Sequence, residues 1–247
     1  MGKTYFASDF HLGVPSYEES LVREKKIVRW LNFIENDCDT LFLLGDVFDF
    51  WYEYKTVVPK YYTRLLGKLA TMSDAGIKIY FFKGNHDMWT FDYLNKEIGL
   101  EVIDEELNIT LSNKSFHIHH GDALWKGEPG YKFIRKVFRS RFSIWIFHRL
   151  HPNFGIGLAN YLSVFSRKKN SKKDEIDIPL EKEYQYQFAL NHLTKNKVDF
   201  FIFGHRHKPM DIPLVNGSRL INLGDWVNKY TYATWDGKDI LLHTYID

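Results

Sequence analysis

Five apolar, strand-like runs in this chain end in aspartate, asparagine or histidine, and that repetition constrains the fold more than any other feature. They are Tyr5-Phe6-Ala7-Ser8-Asp9-Phe10-His11, Leu41-Phe42-Leu43-Leu44-Gly45-Asp46, Ile77 to Phe82 with Lys83-Gly84-Asn85-His86-Asp87, Ile118-His119-His120-Gly121-Asp122, and Phe200 to Phe203 with Gly204-His205-Arg206-His207. Short apolar runs bounded by turn residues read as buried strands. Glycine beside the polar residues permits a sharp backbone path. Polar groups delivered at the carboxyl ends of neighbouring strands meet in one crevice. A single His or Asp in such a place is usually a cap or a satisfied core group. Five together point to one site.

The segments between the runs predict how they pair. A strand over 3–8 precedes a helix over about 18–35, where Ile27, Trp30, Leu31 and Ile34 share a face. A strand over 40–44 precedes a helix starting near Pro59 that buries Tyr62, Leu65, Leu66, Leu69 and Met72. With the strand 77–82 this is a strand–helix–strand–helix–strand order, hence a parallel sheet and an α/β class. A short helix follows over 91–98, then strands over 101–103, 107–112 and 115–119. After a helix over 180–193 and the strand 199–203, strands are expected over 212–215, 218–223, 230–235 and 239–245. Asn216-Gly217 and Asp236-Gly237 supply hairpin turns.

Charge divides the chain. Lys126 to Lys173 holds twelve of the 33 Lys and Arg residues and one acid, Glu128, which leaves 21 bases against 30 acids elsewhere. An acidic body therefore carries a basic segment, and the expected organisation is a core of residues 1–124 and 174–247 with an insertion over 125–173. Within the insertion Ile134, Val137, Phe138, Arg141 and Trp145 share a helical face, and Leu158, Tyr161, Leu162 and Phe165 form a second apolar stripe. Three readings stand: a hairpin with a solvated charged face, a cap with an apolar groove and basic rim, and a nucleic-acid surface. Nucleic acid is the least favoured.

The donor set suits two hard cations. A pair of divalent ions needs a bridging oxygen ligand, several neutral imidazoles and few soft donors. Asp9, His11, Asp46, Asn85, His120, His205 and His207 supply these, and alternate residues in Asp-x-His and His-x-His point to the same side. His120 is preferred to His119 because it directly precedes Gly121-Asp122. His117 and His119 are expected to make structural hydrogen bonds. The one cysteine, Cys38, offers neither a disulfide nor a thiolate cage, which suits a reducing compartment. The first residues lack an apolar signal segment, and cytoplasmic placement is expected.

These blocks resemble the calcineurin-like metallophosphoesterase family, whose pattern is Asp-x-His, Gly-Asp-x-x-Asp, Gly-Asn-His-Asp, a later His and Gly-His-x-His. Here Asp9/His11, Gly45-Asp46 with Asp49, Gly84-Asn85-His86-Asp87, His120 and Gly204-His205-Arg206-His207 meet it in order. The resemblance implies a four-layer αββα sandwich of two mixed sheets. It implies one metal on Asp9, His11, Asp46 and His207, and another on Asp46, Asn85, His120 and His205, bridged by Asp46. His86 is then a catalytic imidazole facing the scissile phosphate, oriented by Asp87 or Asp49. A non-enzymatic scaffold on this fold is expected to lose ligands or the imidazole, and this chain keeps them.

Arg149-Leu150-His151-Pro152-Asn153-Phe154-Gly155 and Asn222-Leu223-Gly224-Asp225-Trp226 are similar to the UDP-2,3-diacylglucosamine pyrophosphatases of lipid A synthesis. That branch has a helical cap at this point, usually uses manganese (zinc, iron or magnesium being alternatives), and works at the inner face of the cytoplasmic membrane. The resemblance implies a lipid-linked nucleotide substrate, an anionic membrane surface as partner, and cleavage to lipid X and UMP. Expected substrate contacts are Phe138, Arg141, Trp145, Arg149 and Trp226. The best-known members carry Arg at the position of His86, so a generic phosphodiesterase or phosphatase of soluble nucleotides or phosphoproteins is the alternative.

Overall fold

Side-chain alternation along the strands decides the layering. The computed structural model describes residues 2–124, 129–159, 161–163 and 179–247. On strands β1 (Lys3–Ala7), β2 (Cys38–Leu43) and β3 (Lys78–Phe82), Tyr5, Leu41, Leu43, Ile79 and Phe81 pack with Ile27, Trp30 and Leu31 of α1 (Tyr17–Ile34). Leu65 and Leu69 of α2 (Thr63–Asp74) join the same cluster. The alternate residues Phe6, Phe42, Tyr80 and Phe82 face the other way. They meet Phe116, Ile118, Phe200 and Ile202 of β6 (Lys114–His119) and β7 (Phe200–Phe203). Phe201 and Phe203 turn outward to Ala189 on the helix Tyr184–Leu193. Three apolar clusters thus separate four layers, helix, sheet, sheet and helix, as expected.

Both sheets are mixed. The first runs β11 (Ile240–Thr244), β10 (Thr231–Trp235), β1, β2, β3, β4 (Glu101–Ile103). In it β1 to β4 are parallel, and β10 and β11 close one edge antiparallel. The second runs β5 (Glu106–Leu111), β6, β7, β9 (Arg219–Leu223), β8 (Pro209–Pro213), with β6, β7 and β9 parallel. Stacked rings line the seam between the sheets: Phe6 lies 5.1 Å from Phe42 of its own sheet and 6.2 Å from Phe116 of the other. Asn216 and Gly217, both at positive φ, turn β8 into β9.

Three helices differ from expectation. The short one expected over 91–98 is a single turn, α3 (Tyr93–Lys96). The one expected from Pro59 begins at Thr63, because Tyr61 and Tyr62 adopt φ of 87° and 46°. Its first free N–H groups, of Arg64 and Leu65, donate instead to the buried Glu24 carboxylate at 2.8 and 3.1 Å. The helix expected over 180–193 starts as a 3₁₀ turn, Leu180–Lys182, before its α-helical part.

The insertion contributes α4 (Pro129–Phe138), α5 (Arg141–Arg149) and helical residues over 152–159 and 161–163. It is anchored through an aromatic seam. Tyr52 donates to the Ile144 carbonyl at 3.0 Å, Trp89 to the Phe138 carbonyl at 2.9 Å, and Phe147 packs on both rings. Phe133, Phe142 and Tyr161 are each at least 68% exposed. Phe165 and the basic run 167–173 lie outside the described residues. Among the described residues no helix is long and apolar enough to cross a membrane.

His117 carries a pH dependence. It is fully buried on β6, its Nδ1 lies 2.8 Å from Asn108 Oδ1, and burial, with His192 adding, lowers its pKa to about 4. His119 is likewise structural, accepting the Gly121 N–H at 2.8 Å. The unfolded chain takes a proton on His117 below the ordinary imidazole range, while the folded chain resists it. Stability from this group is therefore complete above about pH 6.5 and lost as pH falls toward 4, by roughly 3 kcal/mol. Urea unfolding between pH 7 and 4 should show a shallower loss in His117→Gln than in the unaltered protein.

Candidate metal centre

Strained backbone presents the donors. Asp9 and His11 follow β1, Asp46 follows β2, and Asn85 follows β3. His120 follows β6, and His205 and His207 follow β7. Asp9, His11, Asp46, His205 and His207 have φ of 57°, 45°, 52°, 68° and 51°. Each such residue costs on the order of 1 kcal/mol and persists only where its surroundings impose it. Here they do. His11 N–H donates to the Asp46 carbonyl at 2.9 Å, and Trp226 N–H to the Asp9 carbonyl at 3.0 Å. Arg23 Nη1 gathers the carbonyls of Phe10, His11 and Val14 at 3.3, 2.8 and 3.0 Å. Gly84 is required, since a Cβ there would stand 2.2 Å from Asp46 Oδ1 and 2.5 Å from its backbone nitrogen.

The side chains converge in three donor groups: Asp9, His11 and His207; His11, Asp46 and His86; Asp46, His120 and His205. His11 Nε2 lies 3.0 Å from His207 Nε2, and His207 Nε2 lies 3.2 Å from Asp9 Oδ1. That Asp9 oxygen is buried without a hydrogen-bond partner. A buried carboxylate oxygen left in this state is expensive unless a cation takes it. Asp46 Oδ2 sits 3.9 Å from His11 Nε2 and 3.4 Å from His120 Nε2, so it belongs to both sides. Asn85 Oδ1 is 3.3 Å from the same His120 nitrogen. His120 Nδ1 is 2.6 Å from the Leu44 carbonyl, which keeps a proton on Nδ1 and leaves Nε2 to face the centre. Burial opposes charge on His120, yet Asp46 outweighs it and pushes its pKa up to about 10. The carboxylates thus draw positive charge into the centre, and hard O/N donors with no sulfur fit divalent ions.

The profile of the calcineurin-like phosphoesterases matches residues 2–209, a span that takes in all seven donors. The chain belongs to that family. It is similar to a UDP-2,3-diacylglucosamine hydrolase of Porphyromonas gingivalis, 37% identical over 257 residues that cover 99% of this chain and 98% of that protein. Proteins of the same name from Hamiltonella defensa and Shewanella halifaxensis are 30% and 26% identical, over 83% and 92% of this chain and 77% and 91% of theirs. Membership makes the chain a metal-dependent phosphoester hydrolase.

Within this calcineurin-like centre, His86 and Asp49 lie in contact. His86 Nδ1 is 2.9 Å from the Asp49 carbonyl and 3.4 Å from its Oδ1, which lies equally 3.4 Å from His11 Nδ1. With its Nδ1 proton held there, His86 offers Nε2 to the site. Asp87 corrects the expectation that it might orient His86. Its oxygens accept the N–H groups of Gly84, Val47, Asp46 and Phe48 at 2.7, 2.8, 3.3 and 3.3 Å. It shapes the loop that carries Asp46.

Trp226 is a second correction. It is 0% exposed, packed on Phe10 and Trp30, so it contacts core and not substrate. Phe138, Arg141, Trp145 and Arg149 remain on the insertion surface, and the Arg149 guanidinium lies 4.8 Å over the Trp145 ring. Sequence reasoning missed three contacts from the insertion. Ser163 donates to Asp49 Oδ2 at 2.7 Å, Tyr131 donates to Asp122 Oδ2 at 2.9 Å, and Arg135 lies 3.0 Å from that same oxygen. The buried acid of His120-Gly121-Asp122, beside a basic segment, was the available signal for Arg135; Ser163 had none.

Proposed function

We propose that the chain hydrolyses the pyrophosphate of UDP-2,3-diacylglucosamine, releasing lipid X and UMP at an anionic membrane surface, with the segment 125–173 as its substrate cap. The observation that carries this is one donor cluster lying beside an insertion that is both basic and apolar at its surface. The nucleotide-lipid name shared by full-length relatives supports the same substrate.

Two divalent ions, manganese by the resemblance, would rest on Asp9, His11, Asp46 and His207 and on Asp46, Asn85, His120 and His205, and the chemistry they would supply there is activation of water and neutralisation of phosphoryl charge. Asp46 offers its carboxylate to both groups. His86, fixed through Nδ1 by Asp49, holds its Nε2 toward the leaving oxygen; as an imidazolium it would give that oxygen its Nε2 proton as the P–O bond breaks and keep the Nδ1 proton on the Asp49 carbonyl. Ser163, bonded to Asp49, ties the cap to this imidazole. Exposed Phe138 and Trp145 offer apolar area to acyl chains, while Arg141 and Arg149 offer charge to phosphates. His86 itself favours a second reading, a phosphodiesterase of soluble substrates.

Manganese-loaded protein should be assayed on a panel of lipid-linked and soluble phosphoesters. Each buried CH₂ contributes about 0.8 kcal/mol, so a partly engaged acyl chain adds several kcal/mol. Phe138→Ala/Trp145→Ala should therefore lower kcat/KM for the acylated substrate at least tenfold more than for a small chromogenic diester, with detergent constant. Equal losses on both would leave the segment a support for the fold and put the soluble-substrate reading first.

A further inference from the structure

Arg206 stands between His205 and His207, yet its side chain turns from the donors onto Glu183. Nη2 donates to Glu183 Oε2 at 3.1 Å, and Nε lies 2.8 Å from Oε1. One hydrogen bond and a close ion-pair contact thus hold two guanidinium nitrogens against the two oxygens of a buried carboxylate, a spread that a single lysine ammonium lacks. Glu183 is 3% exposed and opens the helix Tyr184–Leu193. Two residues further, Gln185 Nε2 donates to the Gly204 carbonyl at 2.8 Å, and Asn222 Nδ2 reaches the same carbonyl at 2.6 Å. The Gly204–His207 loop is thus held before His205 and between the two histidines by the segment that follows the insertion.

We infer that Glu183 and Arg206 are a positioning pair that sets His205 and His207 for metal, so that metal affinity depends on the helix Tyr184–Leu193. The inference rests on the two-metal reading and deepens it. His205 and His207 belong to different donor groups and both hold left-handed backbone, at φ of 68° and 51°. Arg206 is the residue that joins them. Fixing it fixes the peptide planes on either side, and hence the direction in which each imidazole leaves the chain. Groups that orient metal ligands from outside typically change metal affinity by about 10–100-fold when removed.

The test is calorimetric titration of manganese into metal-free protein, with Glu183→Gln and Arg206→Lys beside the unaltered chain. Both variants should bind manganese about 10–100-fold more weakly. Their kcat should return close to the unaltered value in excess manganese, so the change appears in the metal concentration required. A pair that only supports the fold would lower the melting temperature equally with and without metal and leave affinity unchanged; that result overturns the inference. Glu183→Gln leaves the Arg206 charge unpaired, which can itself prevent folding. Glu183→Gln/Arg206→Gln leaves none, and it should still bind weakly; wild-type affinity in it would also overturn the inference. Failure of the unaltered protein to take up two ions would instead remove the metal reading on which the inference stands.

Discussion

Asp46→Asn is expected to abolish measurable turnover and to weaken metal uptake while the chain stays folded. The reason lies in how many groups one carboxylate serves. Its Oδ2 faces both His11 and His120, and its Oδ1 accepts the His86 backbone N–H at 2.9 Å. Burial opposes its charge, but His120, His86 and His11 outweigh burial and hold the carboxyl well below the usual carboxylate range. Asparagine keeps the volume but offers one weak acceptor oxygen and turns an NH₂ toward groups arranged for an anion. Removing one partner of a buried charge network leaves the others uncompensated, so the loss exceeds that of a single contact. Metal analysis and circular dichroism of the variant check the two halves of the expectation. If the unaltered chain holds no more than one ion at saturating manganese, a bridging role for Asp46 is wrong.

His86→Ala should keep both metals and lose roughly 10²–10⁴ in rate, the usual scale of proton-transfer assistance by a placed side chain. Geometry supports that separation of roles. The Asp49 carbonyl engages Nδ1, so one nitrogen remains for substrate. The same ring nevertheless falls within a donor group with His11 and Asp46. Metal content of the variant decides between the two: loss of an ion makes His86 a ligand. Activity restored in His86→Arg would favour the lipid-nucleotide branch, where that residue is usual.

What the sequence made legible is tied to period and to chemistry. Alternation in Tyr5-Phe6-Ala7 and in Phe200-Phe201-Ile202-Phe203 assigns residues to opposite faces without reference to any partner. Polar residues directly after such runs can then be placed at strand ends, and so the donors could be read. Direction was not readable. Asp87 and Asp49 are both acids close to ligands, and only the folded loop shows that one turns to backbone N–H groups and the other to imidazoles. Trp226 follows a Gly-Asp pair near the donors, a position equally suited to a substrate platform or a core plug. Its contacts with Phe10 and Trp30, distant in sequence, settle which. The start of α2 was lost for a related reason, because nothing in Tyr61-Tyr62 signals left-handed backbone.

The donors are split between two sheets: Asp9, His11, Asp46 and Asn85 hang from the first, His120, His205 and His207 from the second. Bound ions would therefore act as rivets across the sandwich, and the aromatic stack of Phe6, Phe42 and Phe116 as the spacer that sets the rivet length. Ligands from the two sheets are thus held at a separation set by the apolar layer that packs one sheet on the other.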